Sequence, residues 1–302
     1  VWVQSLRIPE RRVWGRSAEI DLRRVQIRLH LDHDLIQRSF HPDGAGYRPP
    51  EVITGQSLPD WLETQAEGEA RPLLACNALH TNFVRGNGFV VIDQELICKP
   101  PGTIPLDGET HQPLQGAYTA LVLMPEGARV SKLKVHQGKA LDWVGCDLAI
   151  SGPQIVRQGQ NVVSEVPVRL PGQGQTLGDE INFPVDDPTA RTSFTALGVN
   201  FAGRLLAVSV FAGQPSRVAR QRGQIVFRPA AGDGLTLREM ADLMIHLGAQ
   251  EAILGGGSGD AQQAIRGQPT WCALPRPQAG RVQTTGSLRG LGAILAIYSA
   301  LT

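Results

Sequence analysis

No stretch of this 302-residue chain reaches the roughly 18 apolar residues that a membrane-spanning helix needs. A helical span is therefore not expected. Blocks of like charge are also missing: 29 basic and 28 acidic residues leave a net charge of +1. The one basic flavour lies between Arg7 and Arg24, which argues against nucleic acid as the main partner. Cysteine is scarce. Cys76, Cys98, Cys146 and Cys272 show no C-x-x-C spacing, so a zinc site is not expected. They read as buried free thiols or, in an exported protein, as two disulfides with three arithmetically allowed pairings. Lysine is rare beside arginine, and no repeat of constant period or clean linker is visible. No signal peptide is recognisable, but the chain opens at Val1 rather than Met and reads as a mature or trimmed form.

What the chain does have is glycine (34), proline (21) and 42% hydrophobic residues, a loop-rich composition able to bury a sizeable core. Residues 1–20 read as an irregular or strand-bearing lead-in. Val25, Ile27, Leu29 and Leu31 alternate with polar residues, so Leu22–Leu31 is expected to be a half-buried strand. Leu58–Glu67 reads as a helix that Ser57 can cap and whose first turn tolerates Pro59. Apolar strands are expected at Pro72–Ala78, in a Gly88–Cys98 hairpin, at Tyr118–Met124 and Ala128–His136, once within Asp147–Gly159, in a Thr195–Val210 hairpin, at Gly223–Arg228 and at Gly290–Tyr298. The class implied is α+β: a mixed, strand-rich sheet core with two main helices. Residues 1–70 form a strand-and-helix lead-in belonging to the same domain as residues 70–302.

Asp233–Gly267 is the most informative segment. Thr236 and Glu239 form a Thr-x-x-Glu capping box, with Leu235 and Met240 as its hydrophobic staple. Leu237, Met240, Ala241, Met244 and Leu247 recur at helical spacing, and Gly248 is placed to end the helix in a left-handed conformation. Ala249–Leu254 then reads as a short buried strand running into a bare loop of Gly255, Gly256, Gly257, Ser258, Gly259 and Asp260. Such a run lets a backbone approach something closely or lets amides converge on an anion. A dinucleotide reading fails, because helix precedes strand here.

Several segments, in order, carry a resemblance to a known family. Leu74–Phe83 (LACNALHTNF) is similar to an apolar strand ending in Asn-Gly-Gly-Phe-Phe, and Gly88–Ile97 to a glycine-led hairpin. Ala149–Gly159 resembles a small-Gly-Pro segment, Arg191–Val210 an Arg-Thr-Ala-x-Gly strand and hairpin, and Gly234–Gly267 the helix and glycine loop just described. Arg281–Tyr298 resembles a closing strand. Together they resemble the phosphodiester glycosidase domain family, relatives of the mannose-6-phosphate uncovering enzyme, over about residues 70–298. The departures fall where activity would live. The family's Leu-Asp-Gly-Gly-Gly-Ser becomes Leu254 followed directly by Gly255, with the acid only later at Asp260. Phe194, not Arg, precedes Thr195-Ala196-Leu197-Gly198, and Arg191 stands four residues before Thr195.

The resemblance implies hydrolysis of a glycosyl-1-phosphodiester or related glycan phosphodiester, and a secreted, periplasmic or cell-surface protein. Departure of a phosphate monoester needs little protonation, so such a site needs groups that hold phosphate and a carboxylate or His for acid/base work. Asp260 and His80 are the catalytic candidates. Asp260 reads equally as a turn or helix cap, and His80 as a hydrogen-bonded structural residue. Asn77, Thr81 and Asn82 share His80's strand end and are candidates for substrate hydroxyls or phosphate. Gly255, Gly256, Gly257 and Ser258 offer backbone amides to phosphate. Arg191 can grip an oxyanion in bidentate fashion or pair with Asp186 or Asp187, and Arg281 is similar. Glu239 is explained by its cap. Trp143 and Trp271 can stack on sugar or pack in the core. No cofactor is expected, although Asp and Asn oxygens would admit a divalent metal. The partner is a carbohydrate phosphodiester or glycan; oligomeric state is not legible. The alternatives are a non-catalytic glycan-binding or structural assembly module that keeps the fold, and a related enzyme acting on a different bond.

Overall fold

The computed structural model describes residues 1–32, 52–53, 57–65, 71–78, 89–92, 95–98, 103–105, 111–113, 116–136, 139–141, 148–166, 168, 180–181, 185, 187–212, 216–217, 219–221, 224–226, 233–257, 261–273 and 291–300. Strands dominate, in three seven-stranded sheets. Sheet I runs, in spatial order, Trp2–Ile8, Val13–Ile20, Leu205–Ala212, Phe194–Asn200, Ala249–Gly257, Gln154–Arg157 and Gln160–Asn161, antiparallel throughout. Sheet II runs Ser216–Arg217, Trp271–Cys272, Gln262–Ile265, Leu74–Asn77, Ala293–Ser299, Val25–Asp32 and Val52–Ile53, the last pair parallel. Sheet III is built round the Gly116–Met124/Gly127–His136 hairpin. It adds Leu148–Ser151, the Phe89–Ile92/Glu95–Cys98 hairpin and Lys139–Leu141, with Glu180–Ile181 pairing in parallel.

Alternation along the strands sorts their faces. Ala18 and Ile20, Leu197 and Val199, and Leu205 and Ala207 of sheet I meet Leu74, Cys76 and Leu295 of sheet II and Leu121, Leu123 and Ile150 of sheet III in one central core. The opposite face of sheet I carries Ala196, Leu206 and Val208 and is covered by helix α2 (Leu237–His246) through Leu237, Met240, Ala241 and Met244. The outer face of sheet II packs Ala75, Ala264 and Ile294 against Leu58 and Trp61 of helix α1 (Leu58–Thr64). The α+β reading with two helices holds. Both expected helix caps form: Ser57 accepts from the Asp60 amide, and Thr236 and Glu239 complete the capping box. Gly248 leaves α2 at φ +90°, as its position implies.

The lead-in bears strands, as one of its two readings had it, and two local expectations change. The lead-in is integral: Trp2–Ile8 and Val13–Ile20 form a hairpin whose second strand lies beside Leu205–Ala212. Asp147–Gly159 holds two strands, Leu148–Ser151 in sheet III and Gln154–Arg157 in sheet I. The corner between them is Gly152, where a Cβ would stand 2.6 Å from the Leu254 carbonyl. Finally, the strand expected to end at Leu254 continues to Gly257. Gly256 pairs with Thr195 and Gly257 with Phe194, and the register shift beside Leu254 makes the Gly255 step a bulge. Lacking side chains, these glycines can stay in the ladder while sheet II approaches.

Candidate functional site

That approach brings two of the sequence-predicted stretches together. Asn77, 2% exposed, donates its side-chain amide to the Gly255 carbonyl at 2.9 Å and accepts from the Gln262 amide at 3.5 Å. Gly256 is backed against the same amide: a Cβ there would lie 1.9 Å from Asn77 Nδ2. A side chain at Gly256 would have to push the Asn77 amide off the Gly255 carbonyl, so glycine is what lets this end of the strand close on Asn77.

From Gly256 the register continues across sheet I. Gly256 lies opposite Thr195, Thr195 opposite Ser209, and Ser209 opposite Arg16. Cross-strand partners share a face, and this is the face that Leu197, Leu205 and Ala18 present to the central core. The Thr195 and Ser209 hydroxyls bond each other at 3.0 Å. Arg16 is 3% exposed, and its guanidinium carbon lies 3.6 Å from the centroid of the Trp271 ring while Nη1 donates to the Pro269 carbonyl at 2.9 Å. Trp271 belongs to sheet II, where it lies opposite Gln263, which lies opposite Cys76.

Two rows therefore face one another. Sheet I supplies Arg16, Ser209, Thr195 and Gly256, and sheet II supplies Trp271, Gln263 and Cys76. They touch through Arg16 on Trp271, and Asn77, the residue after Cys76, meets Gly256 at the strand end. Burial pushes the Arg16 guanidinium down to about 10, so it remains charged at neutral pH. Among the described residues no carboxylate pairs with it. Arg16 Nε and both polar atoms of the Gln263 amide are buried without a hydrogen-bond partner. Cys76, beside Gln263, is a buried free thiol pushed up to about 12 by burial; Cys272 is likewise free and raised by burial. With these two unpaired, the two-disulfide alternative does not hold.

Arg191 has a different setting. Its fork grips Glu239 at 2.7 and 2.9 Å, with Nη1 also 3.4 Å from the Gly234 carbonyl, so it clamps the N terminus of α2. Glu239, the capping residue, is thus an ion-pair partner that the sequence did not suggest. Trp271 proves half-buried beneath an arginine. His80, Thr81, Asn82, Trp143, Ser258, Asp260 and Arg281 lie outside the described residues. Arg16, Thr195, Ser209 and Gln263 escaped the sequence reading as site residues. The signal that could have exposed Arg16 is an arginine in the apolar-small run Val13–Ile20. A separate cleft of about 280 Å³ lies between α1 and the Arg266–Thr270 turn, lined by Pro59, Leu62, Glu63 and Arg71 among others. Among the described residues, no group of three or more His, Cys, Asp or Glu is arranged to hold a metal, and no helix is long and apolar enough to cross a membrane.

Fold and site together define a strand-rich α+β protein whose polar groups gather where two sheets close on one another. The chain belongs to the phosphodiester glycosidase family, whose model matches residues 80–279. Its fold is similar to that of the catalytic domain of zebrafish N-acetylglucosamine-1-phosphodiester alpha-N-acetylglucosaminidase, solved auto-inhibited by its pro-peptide. The TM-score is 0.55 at 15% identity, over 99% of this chain and 82% of that one. A hypothetical protein from Synechocystis matches at 12% identity and a TM-score of 0.42, over 99% of this chain and 61% of that one. No curated protein sequence matches.

Proposed function

We propose that this chain hydrolyses a glycosyl-1-phosphodiester of an exported or cell-surface glycan. Water adds to the anomeric carbon, the bond from that carbon to the phosphate oxygen breaks, and free sugar and a phosphate monoester leave. The monoester's second ionisation near pH 6 makes it a competent leaving group with little protonation. Asp260 activates the water or stabilises the cationic anomeric centre, and His80 exchanges the proton. Thr81, Asn82, Ser258 and Arg281 orient phosphate and sugar hydroxyls, and Asn77 holds the strand end that carries Thr81 and Asn82, its own amide being taken by Gly255 and Gln262. The bulged Gly255–Gly257 edge brings its backbone up to Asn77. Arg191 is left out of the phosphate contacts, because Glu239 occupies its fork.

The family match across residues 80–279 carries this reading, since that span includes His80, Thr195 and Asp260. The departures at Phe194 and Gly255 favour a second reading, a glycan-binding module that keeps the fold without turnover. Phosphorus NMR of p-nitrophenyl- and UDP-linked glycosyl phosphodiesters separates them. The hydrolase converts the diester to a monoester with equimolar sugar release, and Asp260→Asn abolishes conversion at an unchanged melting temperature. Binding without conversion by the wild type supports the module. Conversion undiminished in Asp260→Asn removes that residue from the chemistry.

A further inference from the structure

The electrostatics of the seam between sheets I and II are incomplete. A guanidinium taken almost wholly out of water needs an opposing charge or a full set of acceptors. Arg16 has one carbonyl at 2.9 Å and one aromatic face, and its Nε–H has nothing. On the facing row Gln263, 0% exposed, has neither a donor nor an acceptor for its amide. Most buried polar atoms find partners, so three orphans in neighbouring positions form a defined chemical demand. Arg16 Nε and Gln263 Nε2 are donors and call for an oxyanion. Gln263 Oε1 is an acceptor, which a phosphate dianion cannot satisfy and a hydroxyl can. A sugar bearing a phosphate offers both in adjacent positions. Trp271, at the end of the row, is only partly buried, unlike Arg16 and Gln263.

We propose that Arg16 and Gln263 form the binding site for a glycosyl phosphate, with Arg16 holding the phosphate oxyanion and Gln263 bridging that oxyanion and a sugar hydroxyl. The site rests on the hydrolase reading above in assigning this ligand to the substrate, and deepens it by naming residues that grip the phosphate. The Thr195–Ser209 hydroxyl pair lies beside Arg16 on the same row and can turn toward an added oxygen. Arg16 takes the role that sequence reading offered to Arg191.

The test separates this role from a structural one. A guanidinium that served only as a strut under Trp271 would be missed on removal, whereas an uncompensated buried charge would not. Arg16→Met and Gln263→Leu are therefore expected to melt at or above the wild-type temperature in ligand-free buffer. Calorimetric titration of the full chain with glucose 1-phosphate and with dimethyl phosphate, at constant ionic strength, reads the site directly. The wild type is expected to bind both, the glycosyl phosphate more tightly. Arg16→Met weakens both by roughly tenfold or more, and Gln263→Leu erases the preference for the glycosyl phosphate. If Arg16→Met does not fold, Gln263→Leu alone decides. Wild-type affinity retained in the folded variants, or no wild-type binding of either probe at millimolar concentration, overturns the proposal. Because binding is measured apart from turnover, Arg16-dependent binding by a protein inactive on every diester would sink the hydrolase reading and leave this site standing.

Discussion

Asn77 and Gly256 hold each other in place. The Asn77 amide spans from the Gly255 carbonyl to the Gln262 amide, and the missing Cβ of Gly256 is the space it occupies. Truncating the amide leaves buried backbone groups unsatisfied, so Asn77→Ala should lower unfolding free energy in urea by about 1–3 kcal/mol. Gly256→Ala should destabilise by a similar amount, about 1–3 kcal/mol, by forcing the amide aside. Since one clash and one hydrogen bond share the same atoms, the double variant should lose clearly less than the sum of the two, read as a coupling in the double-mutant cycle. Strict additivity would mean that the two sheets do not meet here. Asn77 and the glycine run were both legible as residues of interest, because a polar cluster at a strand end and a glycine run are local signals. Arg16 was not legible: its importance comes from the residues across four strands and a second sheet, and no local window contains that register.

At the scale of elements, α2 shows how local and long-range signals combine. Its capping box could be read directly, as could its buried face and its glycine exit. The second use of Glu239 could not, since Arg191 is 48 residues away in sequence. Partial burial raises the Glu239 carboxyl, but the Arg191 hydrogen bonds, the Thr236 amide and the charges of Arg191 and Arg11 outweigh it and hold the group below its ordinary value of 4.5. A carboxyl with a depressed folded value contributes stability above its unfolded value, and that contribution is lost as pH falls through the folded one. Glu239→Gln should therefore flatten the acid limb of the stability profile below about pH 4.5. Thr236→Ala should cost about 1 kcal/mol at neutral pH and leave that limb in place. Urea midpoints measured between pH 3 and pH 7 check both; an unchanged acid limb in Glu239→Gln would remove the clamp from the account. The longer Ala249–Gly257 strand has the same lesson. Glycine's low strand preference argues for a loop, and pairing with Phe194 and Thr195 overrides it.

On the scale of the whole molecule, three sheets share one core, and the first 32 residues supply strands to two of them. Hydrophobic alternation announces strands, and hence the strand-rich α+β class, but it does not say which strands are neighbours. The order Val13–Ile20, Leu205–Ala212, Phe194–Asn200, Ala249–Gly257 joins segments more than 180 residues apart. That order is what sets Arg16, Ser209, Thr195 and Gly256 in one line facing Gln263 and Trp271. This line is the proposed ligand site. A crystal structure with a bound glycosyl 1-phosphate tests it most directly. Phosphate oxygens are expected within hydrogen-bond reach of Arg16, and a sugar hydroxyl on Gln263. Phosphate density in the cleft beside α1, with the seam closed and Arg16 unchanged, would contradict it.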